Sequence, residues 1–545
     1  MTDGAGYVSA SERGGGPPGG GPAEDGITRR EVLRRGAGVG LSVSSAGVLL
    51  AACGSSSTPA STATPKRGGT LTIGLPSGSS TDVIDPHKAS LTPDFARTYT
   101  LFDPLVFLNG GNSLEYKLAE SITADAPDTW TVRMRPGVKT HDGKPFGAAD
   151  AIFTIQRILS PKTAATMSAL LGKVVDPAGL TKLDSLTFRM KLLTPCGFLP
   201  YLFADPNLQP LMVPVGFDPK KPIGTGPFKY ESFTPGGSSV YTANDEYWDG
   251  RPHVDKLILT DLTDDTARTN ALVGGQVDAI SSIPFNNIAT VKGNSNLQVL
   301  NTQAGAWYPI LMNCATKPFS DARARQAFRL LANRPQMIEQ GYSGYGQLGN
   351  DLYGLYDPDY DRTIPQRHQD VAQAKSLLKQ AGLQDYAFTL TATNFGPGAL
   401  AYSVAFGQQC NAAGVKVKVD QVPISVYVGP NDLKWPLAND AWAASPYLNM
   451  ASIADGPKAC FPDTHFGDTE PQFAKLYYEA LKTLNPTLRR EITTEMQRIQ
   501  YDRGSYIVWS FLNTDDGASS KTQGWKLDPS GRSFGSWRFQ DVYFV

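Results

Sequence analysis

Residues 387–420 read AFTLTATNFGPGALAYSVAFGQQCNAAGVKVKVD. Ala387–Ala392 has the pattern of a strand, Leu400–Ala412 that of a helix, and Val415–Asp420 (VKVKVD) alternates as a second strand. Strand, helix, strand is a βαβ unit, so the two strands are expected to pair in parallel across a right-handed crossover. That places the chain in the α/β class.

The same grammar extends in both directions. Asp370 is placed to cap a helix over Val371–Ala381, with apolar positions 371, 374, 377, 378 and 381 on one face and Gly382 as its stop. Asn485-Pro486 opens another, striped by Leu488, Ile492, Met496 and Ile499. Upstream, Leu71–Leu75, Thr129–Met134 (TWTVRM), Leu186–Leu192 and Val254–Leu262 read as strands. Ala148–Ile158 reads as a helix, and Asp264 caps one running to Val273, ended by Gly274-Gly275. Tyr506–Leu512 (YIVWSFL) reads as a strand, and the chain then ends in turns and aromatics. No internal repeat is present.

Composition narrows the function. The 545 residues carry 50 Lys and Arg against 51 Asp and Glu, a net charge of −1. A nucleic-acid binder normally carries a basic excess, so that class is excluded as a partner. The apolar share of 41 % is enough for a large core, and 54 Gly with 40 Pro point to many turns. The five histidines (87, 141, 253, 368 and 465) have no metal-ligand spacing, so neither a metal nor another cofactor is expected. Besides Cys53, four cysteines remain, Cys196, Cys314, Cys410 and Cys460. They allow up to two disulfides or four buried thiols, and the sequence leaves the two readings open.

The N-terminus is an address. Residues 1–27 are rich in Gly and Pro, nearly free of large apolar side chains, and expected to be disordered. Arg29-Arg30 precede an uncharged stretch, Gly36–Ala52, that ends in Leu50-Ala51-Ala52-Cys53. A basic region, a short apolar region and small residues before a cut form a secretory signal, too short and dilute for a membrane span. The paired arginines resemble a twin-arginine export signal, and the Leu-Ala-Ala-Cys end resembles a lipobox. The latter implies cleavage before Cys53 and a lipid on its thiol. Residues 53–66 then read as a flexible Ser/Thr/Pro tether.

No catalytic constellation emerges. Gly341-Tyr-Ser343-Gly-Tyr345 lacks the last glycine of a nucleophile elbow. Gly137–Lys144 echoes a phosphate loop with wrong spacing, and His141-Asp142 reads as a loop turn.

Several blocks, in order, resemble the family 5 extracellular solute-binding proteins, the peptide-, nickel- and oligopeptide-binding lipoproteins of bacterial ABC importers. They include Gly68-Gly69-Thr70-Leu71-Thr72-Ile73, Trp130–Lys139 with His141–Phe146, Gly224-Thr-Gly-Pro-Phe-Lys229, and Lys317–Phe328. The resemblance implies a two-lobed, periplasmic-binding-protein-like fold of type II in its large peptide-binding subclass, with a two-strand hinge. Lobe I would span 67–306 and take back 512–545, and lobe II would span 307–511. The strands would cross near Trp307–Asn313 and Tyr506–Leu512. The implied protein is a monomer on the outer face of the cell membrane, held by the lipid on Cys53. It would deliver a peptide or other small solute to permease subunits, without catalysis.

Aromatic walls with a few polar groups would hold such a solute. Trp442, Trp435, Tyr447, Phe395 and Tyr427 are the candidates, with Ser445 on the Trp442–Tyr447 loop and Asn394 and Ser77–Ser80 as hydrogen-bonding groups. The sequence departs from peptide-binding members at two places. Ser445 stands where amine-gripping members carry Asp, and Thr391–Gly398 lacks the Arg that dipeptide binders place there. Taking a free terminus into the cleft without its ion-pair partner would cost about 3–5 kcal/mol. Longer peptides or neutral solutes such as oligosaccharides therefore stay open, and a secreted hydrolase is the less favoured alternative.

Overall fold

A computed structural model describes residues 65–545 except 110–112, 166–167 and 206–209. The expectations for the signal, Arg29, Arg30, Cys53 and the tether up to residue 64 lie outside the described residues. Among those described, no helix is long and apolar enough to cross a membrane.

Three sheets organise the chain. The largest has eight strands. Thr70–Leu75 lies near its centre, parallel to Lys256–Asp261 on one side and to Ala279–Ile280 on the other. Leu71, Ile73 and Leu75 are fully buried, as the alternation requires. Leu297–Ala306 and Ser510–Ser519 pair antiparallel at the far side of this sheet. A separate four-stranded antiparallel sheet contains Thr129–Met134 and Thr187–Leu192. Trp130, Val132 and Met134 point into its core, where Ile155 of the helix Ala148–Leu159 meets them.

The third sheet has the strand order Val417–Gln421, Phe388–Ala392, Leu437–Asn439, Ile310–Met312, Tyr506–Ile507. Phe388–Ala392 and Val417–Gln421 pair in parallel, and the helix Ala399–Ala412 joins them. The βαβ unit thus forms as the sequence predicts. The predicted caps also form. Ala267 N–H donates to Asp264 at 2.7 Å, Gln373 N–H to Asp370 at 2.8 Å, and Thr487 N–H to Asn485 at 2.9 Å. Each such cap is worth about 1 kcal/mol.

One expectation needs correction. Tyr506–Leu512 is not a single strand: Tyr506–Ile507 belongs to the third sheet and Ser510–Ser519 to the first. The break has a local cause. Val508 C=O accepts from Asp351 N–H, Trp509 C=O accepts from Gly349 N–H, and the Trp509 indole donates to Tyr308 C=O at 2.7 Å. These bonds hold 508–509 between the two sheets. Trp307-Tyr308-Pro309 is another passage, between Leu297–Ala306 and Ile310–Met312, and the chain also returns to the first sheet at Gly346–Leu348, which pairs with residues 510–512.

Candidate functional site

A cleft of about 920 Å³ lies where the first and third sheets face each other. Its walls come from both. Ser77, Phe95, Arg268, Asn513, Asp515, Arg532 and Trp537 line it from elements around the first sheet; Tyr308, Asn394, Phe395 and Trp442 line it from those around the third.

The loop after Ser77 is set by buried charge. Ser79 N–H donates to Asp82, Asp82 pairs with Arg97 at 2.9 Å, and Arg97 reaches Asp261 at 2.6 Å. Ser79 is therefore committed to its own loop, whereas Ser77 faces the cleft.

Trp442, Asn394 and Phe395 are the sequence candidates that the cleft brings together. Trp442 is half-buried, with the buried Asp440 carboxyl beside its indole. Gly396 follows Asn394 with φ +152°, and a Cβ there would stand 2.8 Å from the Tyr308 hydroxyl, so only glycine fits. The Asn394 side chain accepts from Gly396 N–H, which fixes the turn that presents Phe395.

Four candidates lie outside the lining. Tyr427 packs edge-on to Phe395 at 5.1 Å and donates its hydroxyl to Asn439 C=O at 2.6 Å. Trp435 sits behind Tyr427 and donates to its carbonyl at 3.0 Å. Tyr447 is 1 % exposed, stacks on Tyr353 and gives its hydroxyl to Gln500. Ser445 is buried and donates to the Asp205 carboxylate, which also accepts from Asn449 at 2.9 Å. In the sequence these residues stand beside Trp442 or share its chemistry; in the fold they support the cleft wall from behind.

The larger omission is the end of the chain. Phe534, Gly535, Ser536 and Trp537 form a left-handed turn, with φ of +53°, +62°, +63° and +67°. Left-handed geometry costs a residue with a side chain about 1–2 kcal/mol. A buried network holds it: Phe534 N–H donates to Asp516 at 2.8 Å, Ser536 Oγ to Asp528 at 2.9 Å, and Ser281 and Ser533 share a hydroxyl bond of 2.6 Å. Ser282 N–H also donates to Asp516, whose carboxyl burial pushes up to about 6. The turn carries Arg532 and Trp537 into the cleft. Trp537 Nε1 and Arg532 Nε and Nη1 are shielded from solvent and have no hydrogen-bond partner among the described residues. Asn513 Oδ1 and Asp515 Oδ2, on the neighbouring strand, are equally unpartnered. Sequence reasoning treats Gly531–Trp537 as a tail; the one available signal is a charged residue inside an apolar, glycine-punctuated stretch.

Other conspicuous residues are structural. His141 takes Gly224 N–H on Nδ1 and meets Gly226 C=O with Nε2 at 3.1 Å, and burial lowers it to about 4. Asp142 accepts from Thr140 within its own turn. The four cysteines are free thiols, Cys460 half-buried and the others buried. Among the described residues no cluster could hold a metal ion.

The comparisons agree with this architecture. The glutathione-binding protein GsiB of Pectobacterium atrosepticum is 27 % identical over 473 residues, covering 80 % of this chain and 87 % of its own. The oligopeptide-binding protein AppA from Bacillus subtilis, solved with a nonapeptide, superposes with a TM-score of 0.72 at 21 % identity, over 88 % of this chain and 100 % of its own. The binding protein AgaA of A. tumefaciens R10, solved with agropinic acid, gives 0.73 at 21 % identity, over 88 % and 99 %. The fold is accordingly the two-lobed one. The family model described as bacterial extracellular solute-binding proteins, family 5, matches residues 113–456, and the chain belongs to that family.

Proposed function

We propose that the protein captures a peptide or peptide-like solute between two lobes outside the cytoplasm and passes it to the permease subunits of an ABC importer. The observation that carries this reading is the cleft, walled from two sheets, with 307–309 and 508–509 among the passages between them. Bending at two such strands closes one wall on the other, and a closed form that binds solute better gives the permease something to select. Lobe I takes 67–306 and the returning 512–545, lobe II takes 307–511, and each lobe moves as a body.

The protein works as a monomer without cofactor or turnover. Export follows the signal at Arg29-Arg30, and the lipid on Cys53 tethers the mature chain to the outer face of the membrane. Relatives named for glutathione and peptides support a peptide-like solute over an oligosaccharide. An unpaired guanidinium in the wall supports it too, because a neutral sugar leaves that charge uncompensated.

Native mass spectrometry of the exported protein with its carried-over solute tests the reading. A peptide-sized mass on one chain, with scattering that shows compaction when the solute returns, is the expected result. A hexose series, or conversion of the solute to product, overturns it.

A further inference from the structure

The cleft contains a guanidinium with two N–H-bearing nitrogens that no hydrogen bond uses among the described residues. Two arginines line it. Arg268 is engaged through both terminal nitrogens, with only its Nε unpartnered among the described residues: Nη1 donates to Leu262 C=O at 3.0 Å, and Nη2 donates to Asp265 at 2.6 Å and to Ser282 C=O at 3.1 Å. Arg532 differs. Its guanidinium lies over Phe95 at 4.9 Å and Tyr99 at 5.7 Å, while Nε and Nη1 are out of solvent and unpartnered among the described residues. The carboxylates near enough to act on it, Asp205 and Asp528, are committed elsewhere. Asp205 accepts from Ser445 and Asn449, and Asp528 accepts from Ser530 N–H and Ser536 Oγ. Burial pushes the guanidinium below its ordinary range, and those two carboxylates oppose that.

A buried donor left unpaired costs about 1–3 kcal/mol, more when charged, so a folded protein retains one chiefly where a ligand completes it. Three observations say that this one is built. The left-handed turn that follows Arg532 is strained at three residues with side chains, and such strain gathers at ligand clamps. The same turn delivers a second unpaired donor, Trp537 Nε1, from a side chain that is 4 % exposed. The opposite wall brings the half-buried Trp442 ring to the same cleft. The adjoining unpaired acceptors, Asn513 Oδ1 and Asp515 Oδ2, sort the cleft into a donor region and an acceptor region.

We propose that Arg532 is the anion-recognising residue of the cleft, taking a carboxylate of the solute on its Nε and Nη1 edge with the Trp537 indole N–H as a further donor. The solute class is thus an organic acid bearing a free carboxylate, such as a peptide with an unblocked C-terminus. This rests on the solute-binding reading given above. Arginine suits the task because its planar fork matches both carboxylate oxygens. It also supplies, from the chain's end, the cation that Thr391–Gly398 lacks.

The test uses two probe pools on the exported protein stripped of cargo. One is short peptides with free C-termini, matched by the same peptides amidated; the other is non-peptide amino-acid conjugates bearing carboxylates, matched by their methyl esters. Calorimetric titration is expected to show binding of free acids and at least about thirtyfold weaker binding of the blocked partners. Arg532→Gln is expected to lose free-acid affinity by a similar factor while treating blocked ligands as the wild type does. Arg532→Lys recovers only part, and Trp537→Phe, which keeps the ring and deletes one donor, weakens free acids alone. Acids of the second pool binding with the same Arg532 dependence, while peptides do not bind, removes the peptide reading and leaves this proposal standing. Blocked and free ligands binding equally, either Arg532 variant binding as the wild type does, or no free acid binding at all overturns it. Melting curves of the apo variants identify loss by unfolding, and in that event Arg532→Lys and Trp537→Phe decide.

Discussion

Trp307 and Trp442 exchange two backbone hydrogen bonds, Trp307 N–H to Trp442 C=O at 2.9 Å and Trp442 N–H to Trp307 C=O at 3.0 Å. Trp307 opens the passage from Leu297–Ala306 to Ile310–Met312, and Trp442 faces the cleft. The passage at Trp307 and the cleft wall at Trp442 are therefore tied directly to each other.

The two tryptophans are expected to separate stability from binding. Trp307 is 1 % exposed, stacked on Tyr353 at 5.4 Å and edge-on to Tyr506 at 5.2 Å. Trp307→Ala is expected to cost about 3–5 kcal/mol in urea unfolding. Trp442→Ala removes a half-buried ring and is expected to leave that midpoint nearly unchanged. It is expected to weaken binding of the carried-over solute about tenfold or more by calorimetry. Equal losses of stability in both variants would remove Trp442 from the cleft wall.

Ser445 offers the complementary case. Its hydroxyl belongs to the buried Asp205–Asn449 group behind the cleft. Ser445→Ala is expected to destabilise by about 1–3 kcal/mol in denaturant, because Asp205 loses a donor it cannot replace from water. The affinity for the solute is expected to stay within about threefold. A large affinity loss at wild-type stability would return Ser445 to ligand contact.

Buried carboxyls set the pH dependence. Burial pushes Asp357 and Asp516 up to about 6 from an unfolded value of 3.8. A raised carboxyl binds its proton more tightly when folded, so its contribution is fully present below about pH 4 and is lost as pH rises through about 6. With Asp261 pushed up to about 7 and Asp440 to about 6, these groups are expected to make the urea midpoint of the apo protein fall from pH 4.5 towards pH 6.5, against the opposite contribution of His87 and His141, which burial lowers to about 4. Asp516→Asn is expected to flatten that slope. A slope that the substitution leaves unchanged would place the titrating groups elsewhere.

The division between what the sequence shows and what it hides follows the range of the interactions. TWTVRM declares a strand because alternate burial is local, and Asp264, Asp370 and Asn485 declare helix starts because a cap reaches only three residues. Trp442, which lines the cleft, was expected from the resemblance and its aromatic walls. Arg532 was not, because its meaning arises from Phe95, Tyr99 and Asp205, hundreds of residues away. Ser445 and Tyr447 misled for the same reason: their partners Asp205 and Gln500 come from distant segments. The break at 508–509 was hidden because both halves of YIVWSFL are apolar, and only the neighbouring bonds to Gly349 and Asp351 separate them.

The cysteines give a last expectation, on a protein exported to a compartment where disulfides form. Cys196, Cys314, Cys410 and Cys460 are all free. Burial pushes the Cys196 and Cys314 thiols up to about 12 and the Cys410 thiol higher still, so almost no thiolate is present near neutrality. A thiol reagent added to the native protein is expected to label Cys460 first, since it alone is half-exposed, and the other three only as the chain unfolds. Non-reducing denaturation is expected to release all four, and a reductant to leave the melting temperature unchanged. Cys53 adds nothing to that count when its sulfur carries the lipid, so a fifth reactive thiol in the mature protein would argue against lipidation, whereas two missing thiols would mark a disulfide.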